Sequence, residues 1–219
     1  MNIRILLVDD HQMFREGLRA ILQRDDKLTV VGEASDGRQA MEMATGRLAP
    51  DVIVMDIGMP GLNGVDATRQ ILSKNREARV IALSAHTDRR FVAAMLAAGA
   101  SGYVLKEAAG EEILRAVLVV HRGGKYLSPE ITGVVIEDYL GHRIAAGAPR
   151  SRVSLAPRER EIVQLLAEGK TSKDVAGLLH ISIKTVETHR RNIMGKLKLG
   201  SIAALTKFAI REGLTYAEE

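Results

Sequence analysis

Apolar and polar positions change their rhythm once along the chain. Up to about residue 123, short apolar runs alternate with stretches whose apolar residues recur every three or four positions; beyond 128 only the second pattern persists. IRILLV (3–8), LTVVGEAS (28–35), VIVM before Asp56 (52–55), ARVIALSA (78–85) and SGYVLK (101–106) are rich in β-formers and bounded by turn residues. Each predicts a short buried strand. Between them, the stretch starting at His11 carries Phe14, Leu18, Ile21 and Leu22 on one helical face. Helices are likewise predicted after Asp36-Gly37, over 65–74, over 88–98 with Gly99 as a left-handed cap, and from Glu111. Five strand–helix alternations predict an α/β doubly wound, flavodoxin-like sheet of five parallel strands, with helices on both faces.

The pattern then becomes all-helical. Ser128 and Pro129 open a helix over 128–144, as N-cap and first helical residue. Residues 145–154, AAGAPRSRVS, are small, basic and turn-forming, which suits a linker. Four helices follow. The first starts at Pro157 and ends at Gly169; the second is capped by Thr171 or Ser172; the third has Ser182 as N-cap; the last covers IAALTKFAIREGL. The expected domains are 1–124, a linker with a helix at 125–151, and a four-helix domain at 152–219.

Composition narrows the function. There is no cysteine among 219 residues, which excludes disulfides, thiolate catalysis and Cys-based zinc sites. No apolar stretch approaches the length of a membrane span, and the N-terminal run ends in two acids, unlike a signal peptide; a cytoplasmic protein without membrane partners is expected. The net charge of +4 is uneven. Residues 1–125 hold 17 Lys+Arg against 16 Asp+Glu, whereas 150–219 hold 13 against 8. The basic excess sits in the helical third, where a nucleic-acid surface or a solvated face would place it.

Strand ends carry the candidate chemistry. Asp9 and Asp10, Asp56, Ser84 and Lys106 close four predicted strands, and a parallel sheet brings those ends to one edge. Taken singly, each has a plainer role: the acids as caps or turn residues, Lys106 as a solvated charge. Together they are more informative. Clustered carboxylates repel unless a hard cation such as Mg²⁺ joins them. A lysine and a hydroxyl beside them suit phosphoryl transfer onto Asp56 as nucleophile. In the third C-terminal helix, Val186, Ile193 and Leu197 mark the core face; Lys184, Glu187, Thr188 and Arg191 share the opposite face. A short turn joins it to the helix before, as in a DNA-binding helix-turn-helix. Arg191 could donate to guanine, Glu187 accept from cytosine and Thr188 meet a thymine methyl. Thr185, His189, Asn192 and Lys196 are placed for phosphates.

Two resemblances follow from these residues. VDDH (8–11), VMDIGMPGLNG (54–64), LSA (83–85) and GYVLK (102–106) resemble the receiver domain of bacterial two-component response regulators. The resemblance implies Asp56 as phospho-acceptor and Asp10 and Asp56 as direct Mg²⁺ ligands. It further implies the Gly58 carbonyl as a ligand, Asp9 acting through water, Ser84 as switch hydroxyl, Tyr103 as the aromatic that changes rotamer, and Lys106 as phosphate partner. Glu107 follows this lysine where many receivers have proline. PRE (157–159), LLAEGK (165–170) and KTVETHRRNIMGKL (184–197) resemble the LuxR-type helix-turn-helix of NarL/FixJ-class regulators, with Ala156 in place of the usual threonine cap. The implied function is a DNA-binding regulator, phosphorylated by a sensor histidine kinase and forming a homodimer on promoter DNA. Two alternatives are phosphorylation-independent DNA binding, with the receiver as a dimerisation module, and an aspartyl phosphohydrolase. The second lacks a general acid near Asp56.

Overall fold

The computed structural model describes residues 2–85, 87–144 and 155–215, and its contacts divide into two compact units, 1–146 and 147–219. The expected linker segment 145–154 lies outside the described residues.

The first unit runs β1 (Ile3–Val8), α1 (Gln12–Leu22), β2 (Leu28–Ala34), α2 (Gly37–Thr45), β3 (Val52–Asp56), α3 (Gly64–Lys74), β4 (Arg79–Ser84), α4 (Arg89–Ala98), β5 (Gly102–Leu105), α5 (Ala109–His121), β6 (Tyr126–Leu127) and α6 (Pro129–Ile144). The sheet is parallel throughout, in the order β2-β1-β3-β4-β5-β6. Strand order reverses at β1, the doubly wound arrangement that opens a crevice at the strand ends between β1 and β3. Val52 through Asp56 are all buried, as a central strand covered on both faces requires. Helices α2, α3 and α4 start on short polar caps. Asp36 accepts from two amides of α2, Asn63 from Asp66 and Asp88 from Arg90. Gly99 takes the left-handed cap at φ 102°. Gly64 is needed for another reason: a Cβ there would lie 2.0 Å from the Asp56 carbonyl oxygen.

One difference from the sequence expectation concerns the end of this unit. The sheet has six strands, because Tyr126 and Leu127 pair with Gly102 and Tyr103 of β5. Two residues are too few to show alternation, so the strand has no sequence signature. The helix expected within the linker is present as α6, and its first turns pack on the sheet unit. Ile131 and Ser128 are fully buried, and α6 packs against α4, with Arg89 3.3 Å from Glu137. The Ser128 N–H donates to the Tyr103 carbonyl, at 2.9 Å; its hydroxyl accepts from the Leu105 N–H at 3.3 Å and donates to Glu112.

The second unit has four helices: α7 (Pro157–Ala167), α8 (Ser172–Leu179), α9 (Ile183–Leu197) and α10 (Ile202–Arg211). Ile162, Leu166, Val175, Leu179, Val186, Ile193 and Leu205 form its aliphatic core. Thr171 and Asp174 cap α8 reciprocally, and the Ser182 hydroxyl accepts from Thr185 N–H at the start of α9. Among the described residues, no helix is long and apolar enough to cross a membrane.

Candidate functional site

The strand ends converge as the parallel topology demands. Ligand atoms of Asp9, Asp10, His11 and Asp56 all lie within 4.8 Å of one another. Asp9 and Asp56 are almost wholly buried, while the Asp10 side chain is 28% exposed, which leaves the crevice open at one side. Lys106 reaches in from the end of β5. Its Nζ lies 2.7 Å from Asp9 Oδ2 and 2.9 Å from Asp56 Oδ2, and it stands 5.0 Å over the Phe14 ring. Gly58 N–H donates to the other Asp56 oxygen, Oδ1, at 3.2 Å. The Arg15 guanidinium donates to the Asp9 carbonyl at 2.5 Å and lies 3.3 Å from Glu33, which fixes the β1–α1 turn.

Electrostatics follow from the packing. Burial pushes the Asp56 carboxyl upward, and the Asp9 charge adds to that; Lys106 and the Gly58 N–H only partly oppose it. Burial pulls Lys106 down, but Asp56 and Asp9 outweigh it and raise its pKa above the ordinary lysine value. One ammonium thus faces two carboxylates, with a third beside them. Asp10 Oδ1 is buried without a hydrogen bond of good geometry. Such a donor set, oxygen-rich and short of positive charge, fits a hard divalent cation.

Ser84 ends β4, buried, and its carbonyl accepts from Lys106 N–H at 2.8 Å. Tyr103 is the aromatic that the resemblance implies changes rotamer. Here its ring is already fully buried, with its hydroxyl hydrogen-bonded to Ser84. Burial pushes the Tyr103 phenol up to about 12, with the Ser84 bond acting against the shift. The peptide between Lys106 and Glu107 is trans, as are all those among the described residues.

On α9, Lys184, Thr185, Thr188, Arg191, Asn192 and Lys196 are exposed, and Glu187 and His189 are half-buried. Several already have partners. Thr185 Oγ1 is 2.8 Å from Ser182 Oγ, and Thr188 donates to the Lys184 carbonyl. Glu187 accepts from Ser172, which ties α9 to the start of α8. Lys196 is 2.8 Å from Glu159. That same carboxylate accepts from the Ala156 N–H, so half of a reciprocal cap survives although Ala156 has no side-chain oxygen. Lys196 holds the Glu159 carboxyl below the usual range, helped by the Ala156 N–H and by Lys196 and His189 charge. The residues that sequence reasoning did not single out are His11 and Arg15. Both stand in the segment read as turn and helix start.

Comparison with known proteins agrees with this geometry. Residues 5–118 match the response regulator receiver domain family, and residues 153–209 match the bacterial regulatory proteins of the luxR family. The transcriptional regulatory protein LiaR of Bacillus subtilis (strain 168) is 39% identical over 212 residues, covering 97% of this chain and 99% of LiaR. DegU of Brevibacillus brevis is 35% identical over 225 residues, covering 97% of this chain and 94% of DegU. Among solved structures, RcsB from Salmonella enterica serovar Typhimurium, bound to promoter P1flhDC in the presence of the phosphomimetic BeF3-, has a TM-score of 0.61 at 25% identity; the match covers 98% of this chain and 100% of that one. A receiver with its acid pocket, followed by a LuxR-type helix-turn-helix, places the chain in the family of DNA-binding two-component response regulators, which are transcription regulators and not enzymes.

Proposed function

We propose that Asp56 is the phospho-acceptor and that its acyl phosphate governs promoter binding by α9. The observation that carries this reading is the pairing of a buried, upward-shifted Asp56 with Lys106 at 2.9 Å, beside two further carboxylates. An Asp56 oxygen attacks the phosphorus of a phosphohistidine on a sensor kinase; the P–O bond forms, the P–N bond breaks, and the imidazole nitrogen keeps the electron pair and takes a proton. Asp10, Asp56 and the Gly58 carbonyl would hold Mg²⁺, with Asp9 acting through water. Bound there, the cation would neutralise the incoming phosphoryl oxygens. Lys106 exchanges a carboxylate for a phosphoryl oxygen, and Gly58 N–H keeps Asp56 oriented.

Ser84 links this chemistry to the face of α4 and β5. A hydroxyl can accept from Tyr103 O–H while donating to a phosphoryl oxygen. Phosphorylation then favours the buried Tyr103 seen here over an outward one. The readout would be a homodimer placing two α9 helices on half-sites about one helical turn apart. Arg191, Glu187 and Thr188 would read bases; Lys184, Thr185, His189, Asn192 and Lys196 would set the register. The chain would act in the cytoplasm, where kinase and promoter meet.

The test is labelling with a small-molecule phosphodonor and Mg²⁺. Wild type is expected to form an acid-stable, hydroxylamine-sensitive acyl phosphate, and Asp56→Asn none. Persistent labelling of Asp56→Asn would reassign the acceptor. Promoter binding unchanged by labelling would instead support phosphorylation-independent regulation.

A further inference from the structure

His11 stands where the acid pocket meets solvent. Its backbone N–H donates to Asp9 Oδ1 at 2.8 Å. Its ring Nδ1 lies 3.2 Å from Asp9 Oδ1 and 3.0 Å from Asp10 Oδ1. The side chain is 70% exposed, so packing does not account for the direction it takes. A ring nitrogen can face two carboxylate oxygens in two ways. It can carry a proton and donate to them, or offer its lone pair to a cation that they already hold. Two further observations favour the lone-pair role. One ring nitrogen of His11 and one carboxylate oxygen each from Asp9, Asp10 and Asp56 all fall within 4.8 Å of one another, a span one cation can bridge. Asp10 Oδ1, the nearest oxygen to Nδ1, is buried with no well-formed hydrogen bond.

We propose that His11 is a nitrogen donor of this pocket, so that the site takes a borderline late first-row divalent cation such as Co²⁺ or Zn²⁺ by a mixed nitrogen–oxygen set. The proposal rests on the reading of Asp10 and Asp56 as metal ligands and adds a chemical preference to it. Mg²⁺ seeks oxygen and gains little from imidazole; later first-row ions bind imidazole well. His11 therefore separates the two kinds of ion, whereas the carboxylates serve both. A cation held with His11 would occupy the pocket against Mg²⁺, and metal supply would bear on how readily Asp56 is charged.

The experiment titrates the full chain with Mg²⁺ and, separately, with Co²⁺, by calorimetry and by the visible absorption of bound Co²⁺. Wild type, His11→Asn and Asp10→Asn are compared. Losing a direct donor should cost at least as much as losing an outer-shell partner, so His11→Asn is expected to weaken Co²⁺ about tenfold or more and shift its absorption bands. Mg²⁺ affinity should stay within about twofold, which also shows that the pocket of the variant is intact. Equal weakening of both ions would make His11 a positioning residue for the acids and overturn the proposal, as would no change with either. Failure of wild type to bind either ion, or Mg²⁺ binding indifferent to Asp10→Asn, would overturn the metal reading itself and His11's role with it.

Discussion

The two working surfaces are built on opposite plans. Around Asp56, charged groups are withdrawn from water and held by short contacts from β1, β3, β5 and the β1–α1 turn. On α9, most side chains expected to meet DNA stand in solvent, and their partners are neighbours in the same unit. The pocket can be compact because its proposed reactant is a single phosphoryl group, and a low-dielectric site amplifies each charge that faces it. The helix must meet a polyanion many residues long. There, solvated cations displace counterions, and a few side chains read base edges. A substitution in the pocket should therefore act sharply and on one reaction. A substitution on α9 should act in increments, divided between sequence preference and salt dependence.

Lys106→Ala should show the largest effect, slowing phosphorylation by a small donor about a hundredfold, as loss of one fixed charge at a reacting centre does. Rates within a few-fold of wild type would break the contrast. Arg191→Ala comes next. It should weaken operator binding by about 1–3 kcal/mol and relax preference at one base pair, read by competition with point-changed operators. Uniform weakening across operators would move Arg191 to the phosphate set. Lys196→Ala should lower the slope of log K against log salt by about one, provided that Lys196 leaves Glu159 for a phosphate. An unchanged slope would keep it as a partner of the α7 start.

The smallest effect concerns stability. The Asp56 pKa is raised in the folded chain above its ordinary 3.8, so folding favours its protonated form. Stability contributed at this position is therefore greatest below the ordinary value and falls as pH rises through the raised one. In chelator at neutral pH, Asp56→Asn should melt above wild type; near pH 3 the difference should vanish. Divalent cation should then narrow the gap from the wild-type side. A variant that melts lower at neutral pH would show that Lys106 and Gly58 outweigh the burial.

Much of this could be read from sequence, for a physical reason. Asp9, Asp10, Asp56, Ser84 and Lys106 each follow an apolar run, and parallel strands can only deliver such residues to one edge. The α9 face was legible from the spacing of Val186, Ile193 and Leu197, which fixes the opposite side. What escaped were features made by contacts between distant segments. β6 exists because Tyr126 and Leu127 find β5, not because of their own pattern. The Glu159–Lys196 pair joins residues 37 apart, and it shares its carboxylate oxygen with the half cap at Ala156. The resemblance names Tyr103 as an aromatic that changes rotamer, and only packing shows its ring buried, with its hydroxyl bonded to Ser84.

The seat of Ser128 gives the molecule a gauge of its own. The Leu105 amide bonds to the Ser128 hydroxyl, just beyond the last paired residues of β6, and the Tyr103 carbonyl takes the Ser128 N–H. The strand that bears Tyr103 and leads to Lys106 is thus pinned by the residue just before the outgoing helix. Hydrogen–deuterium exchange at that one amide reports whether the exit is clasped or unclasped. Recorded before and after phosphodonor is added, it shows whether the clasp responds to phosphorylation, without any label on the protein or any DNA in the tube.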